Sequence, residues 1–295
     1  MEKLVTEKEF KVSGNTIPSG FGYLETTAKN LDFEIIRSLI QEGSYDGKIL
    51  YVIRGNVSKE WCESISSEFD EYLSKVGGNR EGDTYVSTKQ IGASQFSKNG
   101  ATYTEESRKL AGGVTELLKN VPQSIIEDIS LTHYQEEHFL DIGIHFGSAR
   151  YKNSHANFST FRRWLDNGSM SLMPHEDKAQ TAFACDDNFE IENAKHVIAF
   201  NACIQASGEG GELCVWNLEP DESCRRSFGV EKTGYPYPPQ HLSGIESFSV
   251  RLNPGDVYFL NAGFLHGVQT VRNGQRLTAG RFISAISSRK VIYWT

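Results

Sequence analysis

The sequence predicts a mainly β protein with flanking helices, and three observations carry that prediction. Its 295 residues include 27 glycines against 8 prolines, a balance that suits a turn-rich sheet protein better than a helix bundle. The second half is a series of short apolar runs separated by turn residues such as Asn253-Pro254-Gly255 and Asn273-Gly274. The first half mixes helical spacing with one strand-like run. The expected architecture is an antiparallel β-sandwich or jelly roll behind a helix-rich flank. One domain over residues 1–295 accommodates it, with the flank at 1–140 and the β core at 141–295.

Each element has its own signal. Lys48 to Arg54 is apolar and β-branched, hence a buried strand. Gly55-Asn56 breaks it, and Ser58 reads as the N-cap of a helix carrying Trp61, Ile65, Phe69, Tyr72, Leu73 and Val76 on one face, stopped by Gly77-Gly78. A second helix starts near Thr104 and a third spans Ser124 to Leu140. Phe158 to Leu165, Asp166-Asn167-Gly168 and Ser169 to His175 read as strand, turn, strand, because Asn-Gly favours hairpins. Further strands are expected at Val197 to Gln205, Glu212 to Asn217, Phe248 to Leu252, Asp256 to Leu260 and Leu277 to Ala285. Residues 220–246 lack periodicity, and a connection that long is a candidate lid over a site.

The net charge of −8 argues against a nucleic-acid binder, whose affinity comes from neutralising phosphates. The 5 cysteines form no C-x-x-C pair and read as free thiols of a reducing compartment. No apolar run approaches the roughly 20 residues that cross a bilayer. A cytoplasmic protein without membrane or nucleic-acid partners is expected; oligomeric state is silent.

The chemistry concentrates in the β half. On a strand, residues two apart share a face. His175 and Asp177 can therefore point inward together, with Glu176 pointing away. Two histidines and one carboxylate on one octahedral face suit iron(II) and leave three positions open. His266, just beyond the Asp256 to Leu260 strand, is the best third donor; His133, His138, His145, His155, His196 and His241 lie in helix-like or loop-like sequence. Arg276 and Thr278 share one face of a later strand, and a guanidinium beside a hydroxyl can clamp a carboxylate. Arg281 falls on the opposite face and is the weaker partner. For the substrate, one of Arg162 and Arg163 faces the cavity by alternation and suits a carboxylate. Ser169 and Ser171 share the His175 face, and Arg225, Arg226, Tyr235 and Tyr237 lie in the candidate lid.

These motifs occur in an order that resembles the 2-oxoglutarate/iron(II)-dependent oxygenase superfamily. They are His175-Glu176-Asp177, Gly210-Gly211-Glu212-Leu213, Pro254-Gly255-Asp256-Val257, Leu265-His266-Gly267-Val268 and Arg276-Leu277-Thr278. Within it, the chain is similar to the N-substituted amino-acid hydroxylases and the cyanobacterial indole-alkaloid halogenases. Tyr45-Asp46-Gly47, Ile53-Arg54-Gly55 and Ile292-Tyr293-Trp294 extend the likeness to the halogenases. The resemblance implies a double-stranded β-helix (the cupin-like jelly roll), with Fe(II), 2-oxoglutarate and O2. It implies metal binding by His175, Asp177 and His266, and cosubstrate binding by Arg276 and Thr278. Halogenating members replace the ligand carboxylate with a small residue. Asp177 is intact, so hydroxylation of an unactivated C–H bond is expected rather than halogenation. The substrate expected is a small, carboxylate-bearing, amino-acid-like molecule or natural product. The alternatives are oxidative cyclisation or desaturation of an N-substituted amino acid, and a cupin-like metal-binding protein without 2-oxoglutarate turnover.

Overall fold

The computed structural model describes residues 10–77, 88–165 and 168–295. Its centre is a large sheet facing a smaller one, the arrangement expected of a jelly roll. In the large sheet, strands follow one another across space as Gly22–Thr27, Lys48–Arg54, Val257–Asn261, Ile198–Gln205 and Arg276–Ser287. The far edge of the 12-residue Arg276–Ser287 strand is shared. Its first half pairs with Thr160–Trp164, which Thr88–Ile91 extends, and its second half with Lys290–Trp294, which His145–Ser148 extends. The small sheet has the order Ser247–Val250, Leu213–Trp216, His266–Val268, Leu172–His175, antiparallel throughout.

Strand alternation explains why the large-sheet strands read as unbroken apolar runs. Phe200, Phe259, Ile53 and Ile283 turn outward beneath the helices, whereas Ala199, Leu260 and Val52 turn toward the small sheet. Both faces are covered, so both are apolar. The outer cover includes α1 (Phe33–Glu42), which buries Ile36, Leu39 and Ile40, and α2 (Lys59–Val76), which buries Ile65 and Phe69. The Ser58 hydroxyl accepts from the Trp61 amide, capping α2 as expected, and Gly77 ends it at φ +73°. Gly78 lies outside the described residues.

Three expectations are corrected. The second helix, α3 (Gly100–Leu117), begins four residues before Thr104 because the Asn99 side chain, accepting from the Thr102 amide, caps it. The expected third helix is two, α4 (Gln123–Ser130) and α5 (Thr132–Asp141), separated by Leu131 at φ +49°. The break is tertiary in origin: the buried Arg281 guanidinium donates to the Ser130 carbonyl at 2.8 Å and to the Thr132 hydroxyl at 3.0 Å. Finally, Thr160–Trp164 and Leu172–His175 form no hairpin, because they belong to different sheets. Asp166 and Asn167 of the expected turn lie outside the described residues.

Residues 220–246 form a packed buttress. They contain α6 (Glu222–Phe228) and surround a small core of Leu218, Cys224, Val230, Tyr237, Leu242 and Leu265. The Tyr237 amide donates to the Pro174 carbonyl at 2.8 Å, and the Glu176 amide to the Gly234 carbonyl at 2.9 Å. Gly234 is required here: its φ is +61°, and a Cβ would lie 2.1 Å from the Glu176 carbonyl oxygen. The segment thus grips the strand end that carries His175 and Asp177.

Candidate active site

His175 ends its strand directly opposite His266 on the neighbouring strand, and their ring centroids lie 4.1 Å apart. Asp177 follows on the turn, its amide donating to the Ala262 carbonyl at 2.8 Å. His175 Nδ1 donates to the Met173 carbonyl at 3.0 Å, and His266 Nδ1 to the Phe264 carbonyl at 2.9 Å. A carbonyl only accepts, so both protons sit on Nδ1 and both Nε2 lone pairs are left for a ligand. Asp177 Oδ2 lies 3.8 Å from His175 Nε2 and 3.3 Å from His266 Nε2. The three donors converge within 4.8 Å of one another, all buried. Burial first, and His266 next, push the His175 imidazole down to about 4, so it is neutral near pH 7, the form that binds a metal. Burial pushes the Asp177 carboxyl up, but the neighbouring His175 and His266 outweigh it and leave the group below the ordinary aspartate range. Two orientated imidazoles and a carboxylate fit iron(II) with open positions.

The same cavity carries Arg276 and Thr278 on its large-sheet wall. Arg276 is 3% exposed, and its Nη2 has no hydrogen-bond partner. No described carboxylate pairs with it; its neighbour is the Tyr258 hydroxyl. A buried guanidinium without a carboxylate partner among the described residues, bordering a cavity, can take up an anion. The Thr278 hydroxyl stands on the same strand face and accepts from Trp164 Nε1 at 3.5 Å. The pair fits the distal carboxylate of 2-oxoglutarate.

The choice between Arg162 and Arg163 is settled by the sheet. Arg162 lines the cavity, with Nε donating to Gln90 Oε1 at 3.2 Å and its cation over the Trp164 ring at 5.6 Å. Arg163 turns to the outer side, where it pairs with Asp70 and donates to the Ser66 hydroxyl at 3.0 Å. The Arg281 guanidinium turns outward to Ser130 and Thr132, although the residue also borders the cavity.

Four tentative substrate contacts are placed elsewhere. The Ser171 hydroxyl is buried and accepts from the Val271 amide at 3.0 Å, and Ser169 is exposed; neither lines the cavity. Counting by twos back from His175 fails because the pairing slips: His266 faces His175, yet Val268 faces Leu172. Leu172 and His175 therefore both line the cavity although three residues apart. Arg225 Nε donates to Glu176 Oε1 at 2.8 Å, and Arg226 pairs with Glu222 on the exposed side of α6. Both arginines are taken by carboxylates, Arg226 by one four residues before it on the helix and Arg225 by one between the two ligand candidates, 49 residues away in sequence.

Other cavity residues were missed. Asn201 and Tyr258 project inward from adjacent strands. A polar Asn inside the apolar Val197 to Gln205 run was the available signal. A Cβ on Gly280, its cross-strand partner, would fall 2.0 Å from Asn201 Oδ1, so glycine makes room for that amide. Tyr235, named from the sequence in the 220–246 segment, does not line the cavity but meets His175 edge-on with centroids 5.9 Å apart.

Residues 23–295 match the family described as carrier-protein-independent halogenase WelO5. The chain belongs to this family. It is 51% identical over 277 residues to an L-isoleucine 3(1)-dioxygenase from Pantoea ananatis (strain AJ13355), covering 94% of each chain. Among solved structures it is similar to an N-substituted L-amino acid dioxygenase of Burkholderia ambifaria AMMD in complex with α-ketoglutarate. That match has 12% identity and TM-score 0.47, and covers 89% of this chain and 91% of that one. It is also similar to SnoK, a non-haem α-ketoglutarate-dependent carbocyclase from nogalamycin biosynthesis. There the identity is 14% and the TM-score 0.46, over 91% of this chain and 86% of that one. The protein is an iron(II)/2-oxoglutarate-dependent oxygenase that acts on a small molecule. No helix among the described residues is long and apolar enough to cross a membrane.

Proposed function

We propose that this oxygenase hydroxylates a free aliphatic L-amino acid, with His175, Asp177 and His266 as the iron ligands. Arg276 and Thr278 bind the distal carboxylate of 2-oxoglutarate, and Arg162 binds the carboxylate of the substrate. The observation that carries this reading is the presence of two cations in one cavity. Arg276 has no counter-ion among the described residues, and Arg162 stands on the neighbouring strand across from Thr278. One anionic end belongs to the cosubstrate and the other to the substrate. The apolar lining of Leu172, Leu213, Leu260 and Val268 suits an unbranched or branched hydrocarbon side chain. The isoleucine activity named for the 51% identical relative supports the same class.

Bound iron(II), with 2-oxoglutarate and O2, supplies the oxidant that removes hydrogen from an unactivated C–H bond. The residues of this chain orient and enclose the reactants. Asp177 occupies the position that a small residue leaves open to halide in halogenating relatives, and its negative charge disfavours a second anion there; this supports hydroxylation. The net charge of −8 argues against a nucleic-acid partner, and the 5 free cysteines fit a cytoplasmic setting.

The test is a panel of L-amino acids, the matching des-carboxy amines and indole alkaloids, assayed for succinate and for product mass. Aliphatic L-amino acids are expected to release succinate and gain one oxygen atom, and the amines to be inert. Turnover of amines at the same rate would remove Arg162 from substrate binding. Loss of two hydrogens from the main product would establish cyclisation or desaturation instead.

A further inference from the structure

We infer that Gln180 and Glu176 are positioning residues that present Asp177 to a metal through one oxygen only. The inference rests on the reading of His175, Asp177 and His266 as ligands. Of the two Asp177 oxygens, Oδ2 is the one that faces both imidazole Nε2 atoms. The other, Oδ1, accepts a 2.7 Å hydrogen bond from Gln180 Nε2 in buried surroundings.

Gln180 is itself held. It lies in the first turn of the 3-10 segment Ala179–Asp186, and its backbone carbonyl accepts from Gln95 Nε2 at 3.2 Å. The start of that turn is fixed by Glu176, whose carboxylate is fully buried behind the ligand pair. Glu176 Oε2 accepts from the Ala179 amide at 3.0 Å, while Oε1 accepts from Arg225 Nε at 2.8 Å. A chain of contacts therefore runs from α6 through Arg225 and Glu176 to the turn, and from Gln180 back to Asp177. It accounts for the residue between the two ligands and for the glutamine three positions after Asp177, neither of which the ligand set requires.

The chemical consequence concerns vacancies. An octahedral ion that takes two imidazoles and one carboxylate oxygen retains three positions. A cosubstrate that chelates through two atoms uses two of them, and O2 needs the third. Were Asp177 free to rotate and bind through both oxygens, one of these positions would be lost. The Gln180 amide occupies the second oxygen and prevents it. The competing account is that Gln180 merely satisfies a buried carboxylate, in which case its effect falls on folding alone.

Cobalt(II), which is stable in air, is the probe. Wild type, Asp177→Ala, Gln180→Met and Gln180→Asn are titrated calorimetrically with cobalt(II), then with 2-oxoglutarate at saturating cobalt(II). Their unfolding midpoints are recorded with and without the metal. Methionine keeps the length of the side chain without its donor, and asparagine keeps an amide too short to reach Oδ1. Both Gln180 variants are expected to bind cobalt(II) about 10- to 100-fold more weakly. Both should also bind 2-oxoglutarate more weakly at saturating metal, and the stabilisation that cobalt(II) confers should shrink. Cobalt(II) affinities within twofold of wild type, with only the metal-free midpoint lowered, would overturn the inference. If Asp177→Ala binds cobalt(II) as tightly as wild type, the ligand reading itself falls. If Asp177→Ala loses the metal while Gln180→Met does not, only the positioning role falls.

Discussion

The two faces of the Arg276–Ser287 strand each bury an arginine, and the two arginines are treated oppositely. On the outer face, Arg281 donates to the Ser130 carbonyl and the Thr132 hydroxyl, and its cation stands 4.5 Å from the Tyr293 ring centroid. Burial still pushes that guanidinium down to about 10, a measure of how dry the site is. On the inner face, Arg276 is equally buried, yet its Nη2 has no partner. Among the described residues Arg281 gives both terminal nitrogens to the fold and leaves only Nε unpartnered, whereas Arg276 leaves the terminal Nη2 unpartnered beside the cavity. Burial and residue type are the same on both faces; which guanidinium nitrogen is left without a partner separates them.

Substitutions on the two faces test this contrast. The largest effect is expected on the inner side, at the metal rather than the arginine: Asp177→Ala should abolish succinate release with amino-acid substrates, and full activity would remove it from the ligand set. Next, Arg276→Met should weaken 2-oxoglutarate binding by about two orders of magnitude, since a hydrogen-bonded charge pair contributes about 3 kcal/mol. The anaerobic visible charge-transfer band, titrated with 2-oxoglutarate, reads this directly. Its thermal midpoint should hold or rise, because the change removes an unpaired buried charge. Arg281→Met should reverse the pattern, costing about 2 kcal/mol in denaturant unfolding while leaving 2-oxoglutarate affinity within about threefold. Equal effects of the two arginine changes on cosubstrate binding would erase the distinction. The smallest effect is expected for Gly280→Ala, whose methyl group displaces the Asn201 amide. Overpacking there should cost about 1 kcal/mol and raise the amino-acid KM severalfold, with 2-oxoglutarate affinity unchanged.

The sequence made the donors legible because their chemistry is local. His175 and Asp177 lie two apart at a strand end, and Arg276 and Thr278 share a strand face. The pairing of His266 with His175 then follows from sheet order. What stayed hidden was set by tertiary contacts. The slip between His266–Val268 and Leu172–His175 moved Leu172, not Ser171, into the cavity. The split of the third helix depends on a guanidinium about 150 residues away in sequence, a separation that no local propensity encodes. Residues 220–246 looked featureless because their one α-helix, α6, is only 7 residues long and the rest of their small core is built on irregular backbone, too little for a periodic pattern. Arg225 gave no sign that Glu176 would claim it because the two meet only through tertiary packing, 49 residues apart in sequence.

The placement of the three donors has a consequence for how such a protein can diversify. His175 and His266 are stitched into a hydrogen-bonded ladder as cross-strand partners, so changing either disturbs the sheet that defines the cavity. Asp177 hangs from the turn just beyond that ladder, tied by its amide to the Ala262 carbonyl. Its side chain can be exchanged while the backbone bond and both histidines stay in place. On the proposed ligand set, the position that decides what else may join the metal is thus the one donor outside the ladder, and its exchange is felt first by the Gln180 amide rather than by the sheet.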